Sequence, residues 1–194
     1  TPLYSSAASD VYKRQANITK ADLLVTGITA SNRVYDTTLT AVLGGTAAVS
    51  PLGSDLVTVG GTAAGIFADK NVGNGKAITI TGVTISGTDA GNYNLVQQTG
   101  LTADVTAKSI TITGTTASDK VYNANTTAVL VTTNSVLNNG AAAANDNKFY
   151  TTDTVSLVKT GAAATFADKN VADGKAVTVT GFSLSGADAV SYTH

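Results

Sequence analysis

Apolar residues alternate with polar ones over short stretches of this chain, and glycine interrupts them at intervals of about ten residues. Lys108–Thr116 places Ile110 and Ile112 on one face, with Ser and Thr on the other. That is the pattern of a half-buried strand, and Ala21–Ile28 is its counterpart earlier in the chain. Leu39–Leu43, Asp55–Val59 and Thr62–Ala68 read as further strands, broken at Gly44-Gly45, Pro51–Gly53 and Gly60-Gly61. Asp69–Gly75 carries the strongest hairpin signal, because glycine and asparagine tolerate positive φ. It leads into Lys76–Ile80, with Ile78 and Ile80 on one side. After Gly82 the apolar parity switches to Val83 and Ile85, which predicts a bulge or bend at the glycine. Tyr93–Gln97 and Leu101–Ala107 read as a closing pair of strands.

The pattern repeats. Phe67–Ala90 and Phe166–Ala189 are identical at 16 of 24 positions, and the parity switch recurs as Val177 and Val179, then Gly181, then Phe182 and Leu184. Earlier in the unit the copies align with an offset of 87 residues (Gly27 against Gly114, Val34-Tyr35 against Val121-Tyr122), and from Phe67 onward with an offset of 99. The second copy therefore carries twelve extra residues, assigned to Asn134–Asp153, an Asn- and Ala-rich stretch that reads as an enlarged surface loop. Copy one is taken as residues 16–102 and copy two as residues 103–189. Copy two is expected to be incomplete, without counterparts of Tyr93–Gln97 and Leu101–Thr106, and so to leave an unpaired edge and exposed apolar residues. Residues 1–15 and 190–194 fall outside the repeat and read as a non-native leader and tail. The chain has no Met, which leads to the expectation that it is an internal segment of a longer protein.

Seven or so short strands per copy predict tandem immunoglobulin-like β-sandwiches, with small β-grasp units as the alternative. Asp89-Ala-Gly91-Asn-Tyr93 favours the sandwich: a tyrosine there closes a corner by bonding back to the backbone, and Leu95 sits where a disulfide-bonded domain places cysteine. Repeats of this kind usually build length or valency rather than one active centre.

Composition supports that direction. Charged residues make up 13% and the net charge is −1, which gives no basic stripe for nucleic acid and no amphipathic face for a membrane. Cysteine is absent, so disulfides and thiolate chemistry are excluded. All 13 acidic residues are Asp, and the sole histidine is His194. Without an internal histidine, Ser-His-Asp and Cys-His arrangements cannot form. No enzyme, cofactor or metal site is expected, and no catalytic residue is assigned.

Several side chains admit a second use. Tyr35 and Tyr122, each following Val in V-Y-[DN], are placed as core-packing tyrosines with a wetted hydroxyl. Asp69 with Asn71, and Asp168 with Asn170, Asp173 and Asp188 nearby, offer oxygens to a calcium ion. Two oxygens before a hairpin fall short of a calcium loop, so these are assigned to turn capping. Lys70 and Lys169 are placed as partners for Asp; an isopeptide bond to either has no support in the spacing. Asn17-Ile-Thr19 and Asn125-Thr-Thr127 match the glycosylation triplet by chance. Phe149 and Tyr150 in the insertion are the candidate binding-loop aromatics.

Three motifs occur in order, twice. Val34-Tyr-Asp36 (Val121-Tyr-Asn123), the Phe-Ala-Asp-Lys-Asn-Val run from Phe67, and Ser86-Gly-Thr-Asp-Ala-Gly-Asn-Tyr93 resemble the YDG-type repeat domains of bacterial filamentous-haemagglutinin-like adhesins. Those repeats usually read Tyr-Asp-Gly-Thr; here Thr37 and Ala124 stand where the glycine would be. The resemblance implies a stalk segment of a secreted or surface-displayed bacterial protein, whose partners are the neighbouring repeats. The alternative is a module that itself binds host glycan or protein through loops such as Asn134–Asp153.

Overall fold

The computed structural model describes residues 15–194, so the expected leader lies, but for Gln15, outside the described residues. Copy one contains β1 (Ala21–Leu24), β2 (Thr26–Ser31), β3 (Arg33–Val34), β4 (Val42–Ala48), β5 (Thr58–Phe67), β6 (Gly73–Ser86), β7 (Tyr93–Val96) and β8 (Thr102–Thr106), so its last strand runs past the boundary expected at residue 102. Copy two contains β9 (Lys108–Ser109), β10 (Ile112–Thr113), β11 (Thr116–Ser118), β12 (Thr127–Val131), β13 (Val136–Leu137), β14 (Ser156–Val158), β15 (Ala163–Phe166), β16 (Val177–Thr180), β17 (Ser183–Ser185) and β18 (Tyr192–Thr193). The only helical pieces among the described residues are single 3₁₀ turns at Ala90–Asn92 and Ala189–Ser191. The protein is all-β, with a sandwich-like repeat fold. The β-grasp alternative needs a helix packed on its sheet, and the described residues contain none.

In copy one, one sheet has the order β3-β8-β6-β5, while β2 pairs with β4 and β1 runs parallel to β7. Ala21–Ile28 is not one strand as its alternation suggests. It divides at Val25, where the chain leaves β7 and joins β4, so its two halves serve different sheets. Lys108–Thr116 divides in the same way, with β9 parallel to β18.

The opposite happens at the glycines. Asp55–Val59 and Thr62–Ala68 merge into β5, and Lys76–Ile80 merges with the residues after Gly82 into the 14-residue β6. The ladder slips between Gly61 and Ala64, opposite Gly82, and then resumes. Gly82 has φ +86°, and a Cβ there would sit 2.2 Å from the Thr62 carbonyl oxygen. This bulge turns Ile78, Ile80 and Val83 all inward, where each is buried, despite their unequal spacing.

The expected closing pair also changes. β7 and β8 do not pair with each other. β8 lies between β3, to which it is parallel, and β6, to which it is antiparallel. The five residues Gln97–Leu101 carry the chain across from one sheet to the other, and two glutamines seal the crossing. The Gln97 side chain donates to the Val83 carbonyl and Gln98 to the Ile28 carbonyl, both at 2.8 Å. From β8, Ala103 and Val105 point into the core, Val105 with no exposure at all.

Copy two repeats much of this, with one large difference. Its tail is folded: Tyr192–Thr193 takes the place of β7, so the reading of Val190–His194 as lying outside the repeat is corrected. Five residues carry too little pattern to set a register by themselves, but backbone pairing with Lys108-Ser109 fixes it. No strand occupies the position of β8 among the described residues of copy two. Phe166, Val177 and Val179 are accordingly half-buried, where Phe67, Ile78 and Ile80 are buried.

The bulge sets a test of the fold. Gly82→Ala is expected to lower stability by about 2 kcal/mol or more, combining the left-handed penalty with the carbonyl clash. Gly53→Ala, at φ +56° with nothing within 4 Å of its Cβ, should cost about 1 kcal/mol. Urea denaturation of both variants checks the difference.

Candidate functional site

The two copies meet through the residues that recur in both. The Val-Tyr-Asp segment at the end of β3 and the turn after β5 present Tyr35 and Lys70 on the side of copy one that faces copy two. Copy two brings the insertion, Asp188 and Tyr192 against them.

Each half is shaped by its own local chemistry. In copy one, Asp36 Oδ1 accepts hydrogen bonds from the Thr38 amide and hydroxyl, both at 2.9 Å, and also pairs with Arg33. Burial works to raise the Asp36 pKa, but the Thr38 donors and the Arg33 guanidinium outweigh it and hold it below the ordinary value. The Arg33 guanidinium lies 5.2 Å from the centre of the Phe67 ring. The turn places Thr37 at φ +68°, a conformation costly for a β-branched residue. Lys120 over Phe166 with Asn123 and Asn125 reproduces this corner in copy two, with Ala124 at φ +63°. Thr37 and Ala124 therefore occupy the position where the V-Y-D turn needs glycine's freedom.

The turn after β5 is built as an Asx turn. Asp69 Oδ1 accepts from the Asn71 amide at 2.8 Å and pairs with Lys76, whose ammonium also donates to the Asn71 carbonyl at 2.6 Å. Asp168, Asn170 and Lys175 form the same clamp in copy two. The calcium-like oxygens are thus occupied by a lysine. Among the described residues no group of three acidic, His or Cys side chains converges. Pinned in this way, the turn leaves the intervening Lys70 free to reach copy two.

Tyr93 defines the opposite half. Its hydroxyl accepts from the Leu52 amide at 2.9 Å and donates to Asp55 at 2.7 Å. The tyrosine corner therefore reaches a loop about forty residues upstream, rather than the nearby backbone. Tyr192 makes the equivalent contacts with the Tyr150 amide (3.1 Å) and Asp153 (2.7 Å). The end of the insertion is thus the counterpart of the Leu52–Asp55 turn, and it is not a free surface loop. Its remaining residues are held by Lys108, which is buried and donates to the Ala143 and Ala144 carbonyls and to Asp146. That lysine, helped by three backbone amides against the cost of burial, holds the Asp146 carboxyl well below its ordinary pKa.

At the joint, Asp153 Oδ2 accepts from the Tyr35 hydroxyl at 2.8 Å as well as from Tyr192, and Lys70 lies 3.3 Å from Oδ1. Lys70 also donates to Asp188 at 3.2 Å. Tyr35 is fully buried and makes edge-to-face contacts with Tyr150 and Tyr192, at 6.2 and 5.6 Å between ring centres. Burial, and then the Asp153 carboxylate, push the Tyr192 hydroxyl far above its ordinary pKa. Lys70 is raised by the Tyr35 hydroxyl, and by Asp188 and Asp153, against a desolvation cost. Phe149 and Tyr150, the candidate binding aromatics, are half-buried in this joint, with Phe149 6.5 Å from the Tyr192 ring. Tyr35 is core-packing, but its hydroxyl is buried on a carboxylate of the other copy rather than wetted.

The joint uses only one half of each copy. On copy two, Tyr122 and Lys169 are the equivalents of Tyr35 and Lys70, and both are exposed, Tyr122 at 54%. On copy one, Asp55 and Asp89 are the equivalents of Asp153 and Asp188, and among the described residues no lysine reaches either. The sequence signalled the residues of this site through their repetition, but it gave no sign that Asp153 would join them.

An all-β chain of two like domains, locked by a buried polar contact between repeated motifs, is a tandem-repeat architecture. The chain belongs to the YDG domain family, whose profile matches residues 19–100 and again 106–194. No curated protein matches it, and no solved structure does.

Two substitutions read the joint and the turn separately. Asp153→Ala should cost about 3 kcal/mol, because it strands two buried hydroxyls and a lysine. Tyr35→Phe alone should cost about 1 kcal/mol, and close to nothing when added to Asp153→Ala; urea denaturation as a double-mutant cycle measures the coupling. Thr37→Gly should instead stabilise the chain by about 1 kcal/mol, by releasing the left-handed penalty; a raised thermal midpoint checks it.

Proposed function

We propose that this chain is a structural repeat module from the stalk of a secreted or surface-displayed bacterial adhesin. The observation that supports this most is the Tyr35–Asp153–Tyr192 contact with Lys70 beside it. Tyr35 and Lys70 come from one copy and Asp153 and Tyr192 from the other, so the contact serves to hold one domain at a set angle on the next. A stalk needs that property, because repeat number converts into reach only when the joints are stiff.

The two unused halves support the same reading. Tyr122 and Lys169 on copy two complement Asp55 and Asp89 on copy one, which is the arrangement of a head-to-tail interface that does not close on itself. The bacterial and extracellular setting rests on the resemblance of the Val-Tyr-Asp, Phe-Ala-Asp-Lys-Asn-Val and Ser-Gly-Thr-Asp-Ala-Gly-Asn-Tyr motifs to adhesin repeats. The absence of cysteine is compatible with it. In this reading the module has no catalytic role, and its partners are neighbouring repeats.

Small-angle scattering of the chain tests the stiffness of the joint. The expected result is one rigid, elongated particle, with the Asp153→Ala variant showing a broadened distribution of interdomain distances. A flexible wild-type joint would count against the stalk. Binding on a glycan array that is lost in Phe149→Ala or Tyr150→Ala would replace it with the alternative of a ligand-binding module.

A further inference from the structure

The side chains that hold the two copies together are also placed to react with one another. Lys70 and Asp153 are 83 residues apart, so their spacing offers no hint of a bond, yet Lys70 Nζ lies 3.3 Å from Asp153 Oδ1. The same Nζ lies 3.2 Å from Asp188 Oδ1. On the other oxygen of Asp153, Oδ2 accepts from the Tyr35 and Tyr192 hydroxyls at 2.8 and 2.7 Å. Amide formation needs a nucleophilic amine, a carboxyl carbon, a base on the amine and an acid on the leaving oxygen. All four are present at this one joint.

We propose that the joint is a self-modifying site, in which Lys70 and Asp153 condense to an isopeptide bond that ties copy one covalently to copy two. The Nζ–Cγ bond forms and the Cγ–Oδ2 bond breaks. Of the three ammonium protons, one stays on the amide nitrogen and two leave with Oδ2 as one water. Asp188 takes a proton from Nζ, while Tyr35 and Tyr192 donate to the departing oxygen and recover their protons from the amine and Asp188. No oxidant, metal or second reactant is consumed.

The surroundings supply the protonation states that the step needs. The Asp153 side chain is 1% exposed, and burial disfavours the charged form of a carboxyl. An ammonium–carboxylate pair carries the same protons as an amine–carboxylic acid pair, so a shift within the joint converts one to the other. The hydrogen bonds around Lys70 and Asp153 keep the ion pair as the resting state, which makes the reaction slow. Asp188 acts as the base and not as the reacting carboxyl. Its Oδ2 is held by the Thr154 amide at 2.9 Å, and its side chain is 20% exposed, where the anion is favoured. Lys169 sits in the same Phe-Ala-Asp-Lys-Asn-Val motif but is exposed, and it serves as an internal control that stays free.

Intact-mass spectrometry of the full chain, followed over days at neutral pH, tests the proposal. The expected result is the loss of one water. In a tryptic digest, Val34–Lys76, uncut at Lys70, should be joined to Phe149–Lys159, while cleavage after Lys169 proceeds normally. Lys70→Arg keeps the positive charge and should retain the full mass. Asp188→Asn should slow bond formation by roughly a hundredfold, in a chain whose near-UV circular dichroism is that of the folded protein. An unchanged mass in the wild-type chain, a cross-link from Lys70 to the peptide that carries Asp188, or undiminished linkage in Asp188→Asn would each overturn the proposal. A chain without the bond that still scatters as one rigid particle overturns the bond alone, and a linked chain with a flexible joint counts against the stalk alone.

Discussion

The arrangement depends on one buried carboxylate. Asp153, with its side chain 1% exposed, can sit between two domains only because three donors meet it there: two tyrosine hydroxyls and an ammonium. Removing a carboxylate from water costs several kcal/mol unless such donors replace its hydration. Tyr192 comes from the same domain as Asp153 and prepares it. Tyr35 and Lys70 come from the other domain and complete it. Because neither copy can satisfy the group alone, the relative placement of the copies is specified by a polar contact, whereas an apolar one would tolerate sliding. The core follows the same path: Tyr35 and Tyr192 join one cluster that runs from Val25 and Phe67 to Ile110.

Within each domain the controlling constraint is that strands must change partners without losing their inward faces. Copy one solves this with glycine bulges at Gly82 and at Gly27, where the β2–β4 register also slips, and with a strand that divides at Val25. Its β8 then closes the sheet, and Val105 joins Ile78 and Phe67 in the buried cluster. Copy two has the same bulges and corners but no strand in that position among the described residues. Its buried apolar set is correspondingly small: Ile110, Ala128, Ala164 and Tyr192. Stability is therefore expected to be uneven along the chain, with copy two relying on the joint for much of its burial.

Alternation and repetition made a good deal of this legible in the sequence. The inward faces of Ile78 and Ile80, the bulge at Gly82 and the Asx turn at Asp69 follow from local rules, because each is signalled by a few neighbouring residues; the corner at Tyr93 is signalled locally too, but its partners Leu52 and Asp55 lie about forty residues upstream. What local rules could not reach was pairing. The parallel contacts of β1 with β7 and of β3 with β8 join residues about seventy positions apart, and short parallel strands carry no distinguishing pattern. The insertion is a loop over most of its length, as its Asn and Ala residues imply; what they do not announce is Lys108, about thirty-five residues upstream, which donates to the Ala143 and Ala144 carbonyls. Asp153 carries the least local signal, since an aspartate after two threonines has the pattern of any turn residue until Tyr35 is brought to it.

The recurrence of the motifs takes on a different meaning once the joint is known. Phe67, Ile78 and Ile80 could vary to other apolar residues and still fill a core, and two of them do, as Val177 and Val179. The polar ends of Tyr35 and Lys70 contribute little to the domain that carries them: the tyrosine ring packs in the core, but its hydroxyl and the ammonium are directed at the next copy. Their counterparts Tyr122 and Lys169 are nevertheless unchanged while lying exposed, where burial places no demand on them. Within this chain the Val-Tyr-Asp and Phe-Ala-Asp-Lys-Asn-Val motifs of copy one supply the receiving half of the joint through Tyr35 and Lys70, and the Asp153 loop of copy two with its corner tyrosine supplies the half that is received.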